Sequence, residues 1–161
     1  MKSGLLFLML GISLMLGCSG TARLYPVHGP LSAQTPLPVF PGKLSGWVNA
    51  GNISFAMSDG EVCKGRWTRV GAVNAPNGAA TANIPATNGM ASVWDAIYGS
   101  GFYVSHILGS EWYGQAVVTG DRGTILKVEF YSWGKRTQPI GVAKDNKDNI
   151  YKMVFPRIEA R

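Results

Sequence analysis

A chain of 161 residues, 46% hydrophobic and 15% charged, holds enough apolar material for one buried core, which excludes a disordered chain and leaves little for a second domain. Fifteen Lys and Arg against nine Asp and Glu give +6, yet the basic residues are scattered and no run exceeds Lys135-Arg136. Nucleic acid is therefore not an expected partner, since its groove wants a basic stripe with exposed aromatics; weak attraction to anionic headgroups or glycans fits better.

At the N-terminus Lys2 precedes Leu5–Leu16 (LLFLMLGISLML), twelve uncharged apolar residues of the length of a signal-peptide core. Gly17-Cys18 closes the stretch. Over its first twenty residues the chain resembles bacterial lipoproteins, whose leader ends in a lipobox of Leu, a small residue, Gly or Ala, then Cys. The resemblance implies that residues 1–17 are a signal peptide. It implies that the lipoprotein processing and sorting machinery makes Cys18 a diacylglyceryl cysteine, cuts before it and acylates the new amine with a fatty acid such as palmitate. Ser19, where an Asp retains many such proteins in the inner membrane, implies the outer membrane. The chemistry suits the position: each buried methylene contributes about 0.8 kcal/mol and one chain holds only marginally, so two or three on one cysteine make a stable anchor.

Two other readings of the same residues stay open. Gly20-Thr21-Ala22 fits an ordinary small-x-small cleavage site, which would release the protein, and Ser3–Ala22 is twenty residues without a charge, long enough for an uncleaved span. All three export the chain. Removing the leader takes away only Lys2 and leaves fourteen basic against nine acidic residues, or +5. With Cys18 lipidated, Cys63 has no partner and is expected to be buried.

Residues 18–42 follow as the lipidated cysteine and a tether, because Arg23–Gly42 (RLYPVHGPLSAQTPLPVFPG) holds five of the nine prolines and such spacing favours extended backbone. Residues 43–161 then form a single β-rich domain. Ile53, Phe55 and Met57 alternate with small polar residues, Asp59-Gly60 turns, and EVCKGRW returns with Cys63, Gly65 and Trp67 on one face. Gly71–Asn88, rich in Ala, Asn, Gly and Pro, reads as a loop. Met90, Val93, Trp94, Ile97 and Tyr98 fall on one helical face, with Asn88 or Ser92 as cap and Gly99 as stop. FYVSHIL after it predicts a strand. Two further hairpins turn at Gly120–Gly123 and at Asp145–Asn149. The fold class expected is mostly β: a twisted antiparallel sheet or small, partly open barrel of six to eight strands built from hairpins, with one short helix.

Few constellations carry chemistry. His28 and His106 are 78 residues apart, so no zinc-type ligand spacing exists and no metal or other cofactor is expected. Asp145-Asn146-Lys147-Asp148-Asn149 places Lys147 where a calcium loop needs its second oxygen ligand. The glycines of Gly120–Gly123 join strand to strand, without the helix N-terminus that a phosphate cradle uses. Cys63 with His106, oriented by Asp95 or Glu111, is a conceivable nucleophile and base, but Cys63 alternates into an apolar face, where a thiol is inert. The aromatic run Trp94, Tyr98, Tyr103, Trp112 and Tyr113 reads either as core or as a platform for sugar rings or a partner protein.

The functional expectation is a lipid-anchored envelope protein whose domain is a non-catalytic binding module, with a glycan or an envelope protein as partner beside the membrane itself. The alternatives are a small hydrolase of cell-wall material, needing Asp95, His106 or Glu111 to converge, and an assembly chaperone or pilotin of an outer-membrane machine that pairs a partner strand with a sheet edge.

Overall fold

The structure, a computed structural model, describes residues 19–47, 49–70, 89–108, 110, 112–132 and 138–156. Eight strands run in order: β1 (Ser19–His28), β2 (Phe40–Trp47), β3 (Ala50–Ala56), β4 (Val62–Val70), β5 (Tyr113–Gly120), β6 (Ile125–Tyr131), β7 (Ile140–Asp145) and β8 (Ile150–Val154). Each pairs antiparallel with the next, and β8 returns to β1, closing an up-and-down barrel. Closure leaves no free sheet edge. The three hairpins stand at their expected turns, and the barrel is closed rather than partly open.

Alternation decides what fills it. Leu24, Phe40, Ile53, Phe55, Cys63, Val118, Leu126, Val128, Tyr151 and Met153 are buried in one interior cluster. Small residues make room for rings: a Cβ on Gly114 would stand 2.4 Å from the Phe130 ring, so only glycine lets the wall approach that side chain. The interior is a packed core; the outward faces of β1, β2 and β4 carry exposed polar residues, while the outward Ile140, Val142 and Ile150 of β7 and β8 pack in an apolar cluster under the helix. The packed interior and exposed polar residues are the reverse of a membrane-spanning barrel, whose outer face is apolar. Among the described residues no helix is long and apolar enough to cross a membrane.

The N-terminal segment departs from expectation. Residues read as a tether from 18 to 42 begin β1 at Ser19, turn through a short 3-10 segment (Pro30–Ala33) and enter β2 at Phe40. Ala22 and Leu24 are buried in the barrel. The prolines are tolerated because of where they fall: Pro26 lies at the register shift between β1 and β8, and Pro41 precedes the first β2–β3 pair, Gly42 with Phe55. Residues 19–28 and 40–42 thus belong to the barrel wall and not to a tether.

Helix α1 (Met90–Tyr98) matches the periodicity, with Gly89 as N-cap, no side-chain cap, and Gly99 as stop. Asn88 and the loop expected over 71–88 lie outside the described residues, apart from their junction at Gly89. FYVSHIL is not a strand. Tyr103–Ile107 is a π-helical turn, and Asp95 Oδ1 accepts the Tyr103 N–H at 2.9 Å. Its bulky residues have strand character, but they pack as a second layer of rings against α1. Both segments lie outside the barrel.

The barrel has two distinct ends. The loops after β1, β3, β5 and β7 gather at one end, the base; Ser19, Asn49, the end of β4 at Val70 and Phe155 are at the other, the mouth.

Candidate functional site

The aromatic residues singled out from sequence divide by burial. α1 lays Met90, Val93 and Trp94 over outward positions of the barrel, where Tyr113, Tyr131 and Val142 complete a second core with Tyr103 and Ile107. Trp94 is fully buried and Tyr103 and Tyr113 are each 7% exposed, so these three spend their faces on packing and offer none to a ligand. Tyr98 and Trp112 are half-buried. The exposed side of the cluster is a stack: Trp94 on Phe102 at 5.9 Å, Tyr98 on Phe102 at 4.9 Å, and Phe102 on His106 at 4.4 Å. Lys152 Nζ lies 5.4 Å from the Tyr98 ring, and the Arg69 guanidinium 4.5 Å from Trp112, both within cation–π range.

One acid anchors this layer. The Trp94 indole N–H donates to Glu129 Oε2 at 2.7 Å, and Glu129 is 4% exposed. Burial pushes its carboxyl above the usual range although the indole bond favours the charge. Burial also raises the Tyr98 phenol to about 12. Sequence reading missed Glu129 as a site residue; its only signal was an acid at an outward strand position, indistinguishable from a solvated one.

At the mouth, Ser19, Gly20, Leu44, Ser45, Gly46 and Trp67 line a depression of about 290 Å³. It opens where the chain emerges from residue 18. Cys18 itself lies outside the described residues.

The base is closed by carboxylates. Glu61, 1% exposed, accepts from the backbone N–H of Arg122 at 2.9 Å, the N–H of Thr124 at 3.0 Å and the Thr124 hydroxyl, with Lys147 Nζ 3.9 Å away. Asp145 accepts from the N–H groups of Lys147 and Asn149 through Oδ1, and from Asn149 Nδ2 and the Tyr151 hydroxyl through Oδ2. The loop that at a glance resembles a calcium site thus directs its first carboxylate into the turn itself. The Gly120–Gly123 turn joins β5 to β6.

Among the described residues Cys63 does not meet His106. Cys63 lies inside the barrel, its thiol pushed to about 11 by burial and then by the Glu61 charge. His106 is on the outer π-helical turn, its Nδ1 2.8 Å from Ser105 Oγ. Asp95 is occupied at Tyr103, His28 ends β1, and Glu111 lies outside the described residues. Among the described residues no three His, Cys, Asp or Glu side chains cluster as metal ligands.

No family model, curated protein or solved structure matches this chain. A function must therefore be argued from the geometry alone.

Proposed function

We propose that the protein is a lipid-anchored envelope protein, held to the membrane by acyl chains on Cys18 and presenting the barrel as a non-catalytic binding module. The observation that carries the reading is the pairing of residues 19–22 into the barrel wall. β1 starts at Ser19 and pairs with β2 through Ser19↔Ser45, Gly20↔Leu44, Thr21↔Lys43 and Ala22↔Gly42. Cleavage before Cys18 leaves all of these in place. Cleavage after Ala22, the rival site, would cut inside a strand and delete four of the six β1–β2 pairs together with a core residue. The exposed polar and charged residues on the outward faces of β1, β2, β4 and β6 also favour a barrel attached beside a bilayer over one inserted in it.

Intact-mass analysis of protein extracted from membranes tests this. The expected species begins at residue 18 and carries the mass of a diacylglyceryl group plus an amide-linked acyl chain. It partitions into the detergent phase, and Cys18→Ser removes both properties. A mature chain that begins downstream of residue 18 and partitions into the aqueous phase would sink the reading.

A further inference from the structure

The fold places four basic residues that are dispersed along the sequence, Lys64, Arg66, Lys127 and Lys144, on one wall, while Arg23, Lys43 and Lys152 stand on β1, β2 and β8. In the β4–β7 registers Arg66 stands opposite Val117, Val117 opposite Lys127, and Lys127 opposite Lys144. A neighbouring row runs from Lys43 through Ser54 to Lys64 and Thr119. All five cations are exposed. Among the described residues, the acid on the outward positions of β2–β7 is Glu129, sealed beneath α1. Asp59, Glu61, Asp121, Asp145 and Asp148 all sit at or beside the base turns. The two ion pairs between described residues, Arg122–Asp59 and Lys147–Glu61, are there too.

Such a wall is costly to keep without use. Like charges directly opposite on adjacent strands destabilise the pair, and Lys127 faces Lys144 with no acid set between them to relieve it. Arg66, Lys127 and Lys144 lie on a line perpendicular to the strands, two strand spacings and then one apart at about 4.8 Å each, so the complementary partner is a line of negative charge. The exposed neutral residues in and beside the row are Val117, Thr119 and Ile125. Among the described residues of the row no aromatic ring offers the stacking that single-stranded nucleic acid uses. The wall is also remote from residue 18: β1 and β5 lie opposite each other in the ring of eight strands, and β1 begins directly after the anchoring position. A bilayer holding Cys18 cannot also lie flat against β4–β7.

We propose that the outer wall of β4–β7 binds a linear acidic polysaccharide laid across the strands, its carboxylates or phosphates meeting Lys64, Arg66, Lys127 and Lys144. This goes beyond the lipid anchor, and its test does not need the anchor. A chain beginning at Ser19 contains every strand of the closed barrel and carries no lipid.

Binding of that chain to polygalacturonate is measured by titration at 50 and 200 mM salt. Affinity is expected to fall steeply with salt, as counterion release requires. The variant K64Q/R66Q/K127Q/K144Q is expected to weaken binding at least tenfold at the lower salt. Of two doubles that each remove two charges, K127Q/K144Q on the wall should weaken it at least threefold and R23Q/K152Q off the wall less than twofold. Val117, 58% exposed, supplies a gain-of-function test: Val117→Lys fills the gap in the row and should tighten binding severalfold, which no unfolding artefact can imitate. Equal losses from the on-wall and off-wall doubles, or no effect of Val117→Lys, would overturn the proposal. Tighter binding to phosphatidylglycerol vesicles or to a DNA duplex than to the polysaccharide would also overturn it, replacing the partner. Because the chain is unlipidated, none of these results bears on Cys18.

Discussion

Glu61 shows how much a single residue can owe to partners that its neighbours in sequence do not reveal. It follows an Asp-Gly turn and begins a strand, where an acid is ordinarily solvated. In the fold it is 1% exposed and takes hydrogen bonds from Arg122 and Thr124, some sixty residues away. Gly120 belongs to the same arrangement, since a Cβ there would stand 2.0 Å from Glu61 Oε1. Burial alone would raise the carboxyl, but the Thr124 and Arg122 bonds and the Lys147 charge together hold it below 4.5. A folded value below the unfolded one means stability that is present above pH 4.5 and is lost as pH falls through the folded value. Glu61→Gln keeps the shape and a carbonyl oxygen for the Arg122 and Thr124 N–H groups, but it removes the charge and turns an amide NH2 toward the Thr124 hydroxyl and Lys147 Nζ. It should cost about 1–3 kcal/mol at pH 7, read as a lower melting temperature, with the gap to the parent protein narrowing toward pH 3. A constant gap across that range would show that the charge contributes nothing. Cys63, by contrast, was legible from alternation alone, because its environment is set by its own strand.

Elements were legible wherever the signal was local. The three hairpins carry turn residues between alternating runs, and α1 carries a 3.6-residue period ended by glycine. β1 and β2 were hidden because five prolines dominate their neighbourhood, while the features that accommodate Pro26 and Pro41 belong to the neighbouring ladders. The π-helical turn was hidden because its residues suit a strand, and only the contact with α1 selects the helical form. That outer layer is joined to the barrel through Trp94 and Glu129, and its acid titrates in the opposite sense to Glu61. Burial raises the Glu129 carboxyl, so its contribution is full below the unfolded value of 4.5 and is lost as pH rises through the folded one. Glu129→Gln retains an oxygen for the indole N–H and removes the buried charge. At pH 7 it should raise the melting temperature by roughly 2–4 °C, the shift that about 1 kcal/mol brings in a domain of this size, with no gain at pH 4. A lower melting temperature at both values would mean that the carboxylate is needed as a charge.

At the scale of the whole molecule, closure depends on the strand that the sequence concealed. β1 is shared by two seams: Ser19–Leu24 with β2, and Arg23–His28 with β8. The partners in the second seam are more than a hundred residues apart, so neither propensity nor turn chemistry could announce it. The same fold brings Lys64, Arg66, Lys127 and Lys144, distant in sequence, onto one wall. It also makes the first four described residues a measurable part of the stability. A chain beginning at Arg23 keeps the β1–β8 seam, but it loses four β1–β2 pairs and Ala22, which is 1% exposed. At about 0.5–1.5 kcal/mol for each net hydrogen bond, a loss of roughly 2–4 kcal/mol is expected, or about 10 °C in melting temperature, relative to a chain beginning at Ser19. The exposed β2 edge should also make the shorter chain more prone to self-association on heating. Should the two chains melt together and stay monomeric, residues 19–22 are dispensable to the barrel, and cleavage after Ala22 becomes as compatible with the fold as cleavage before Cys18.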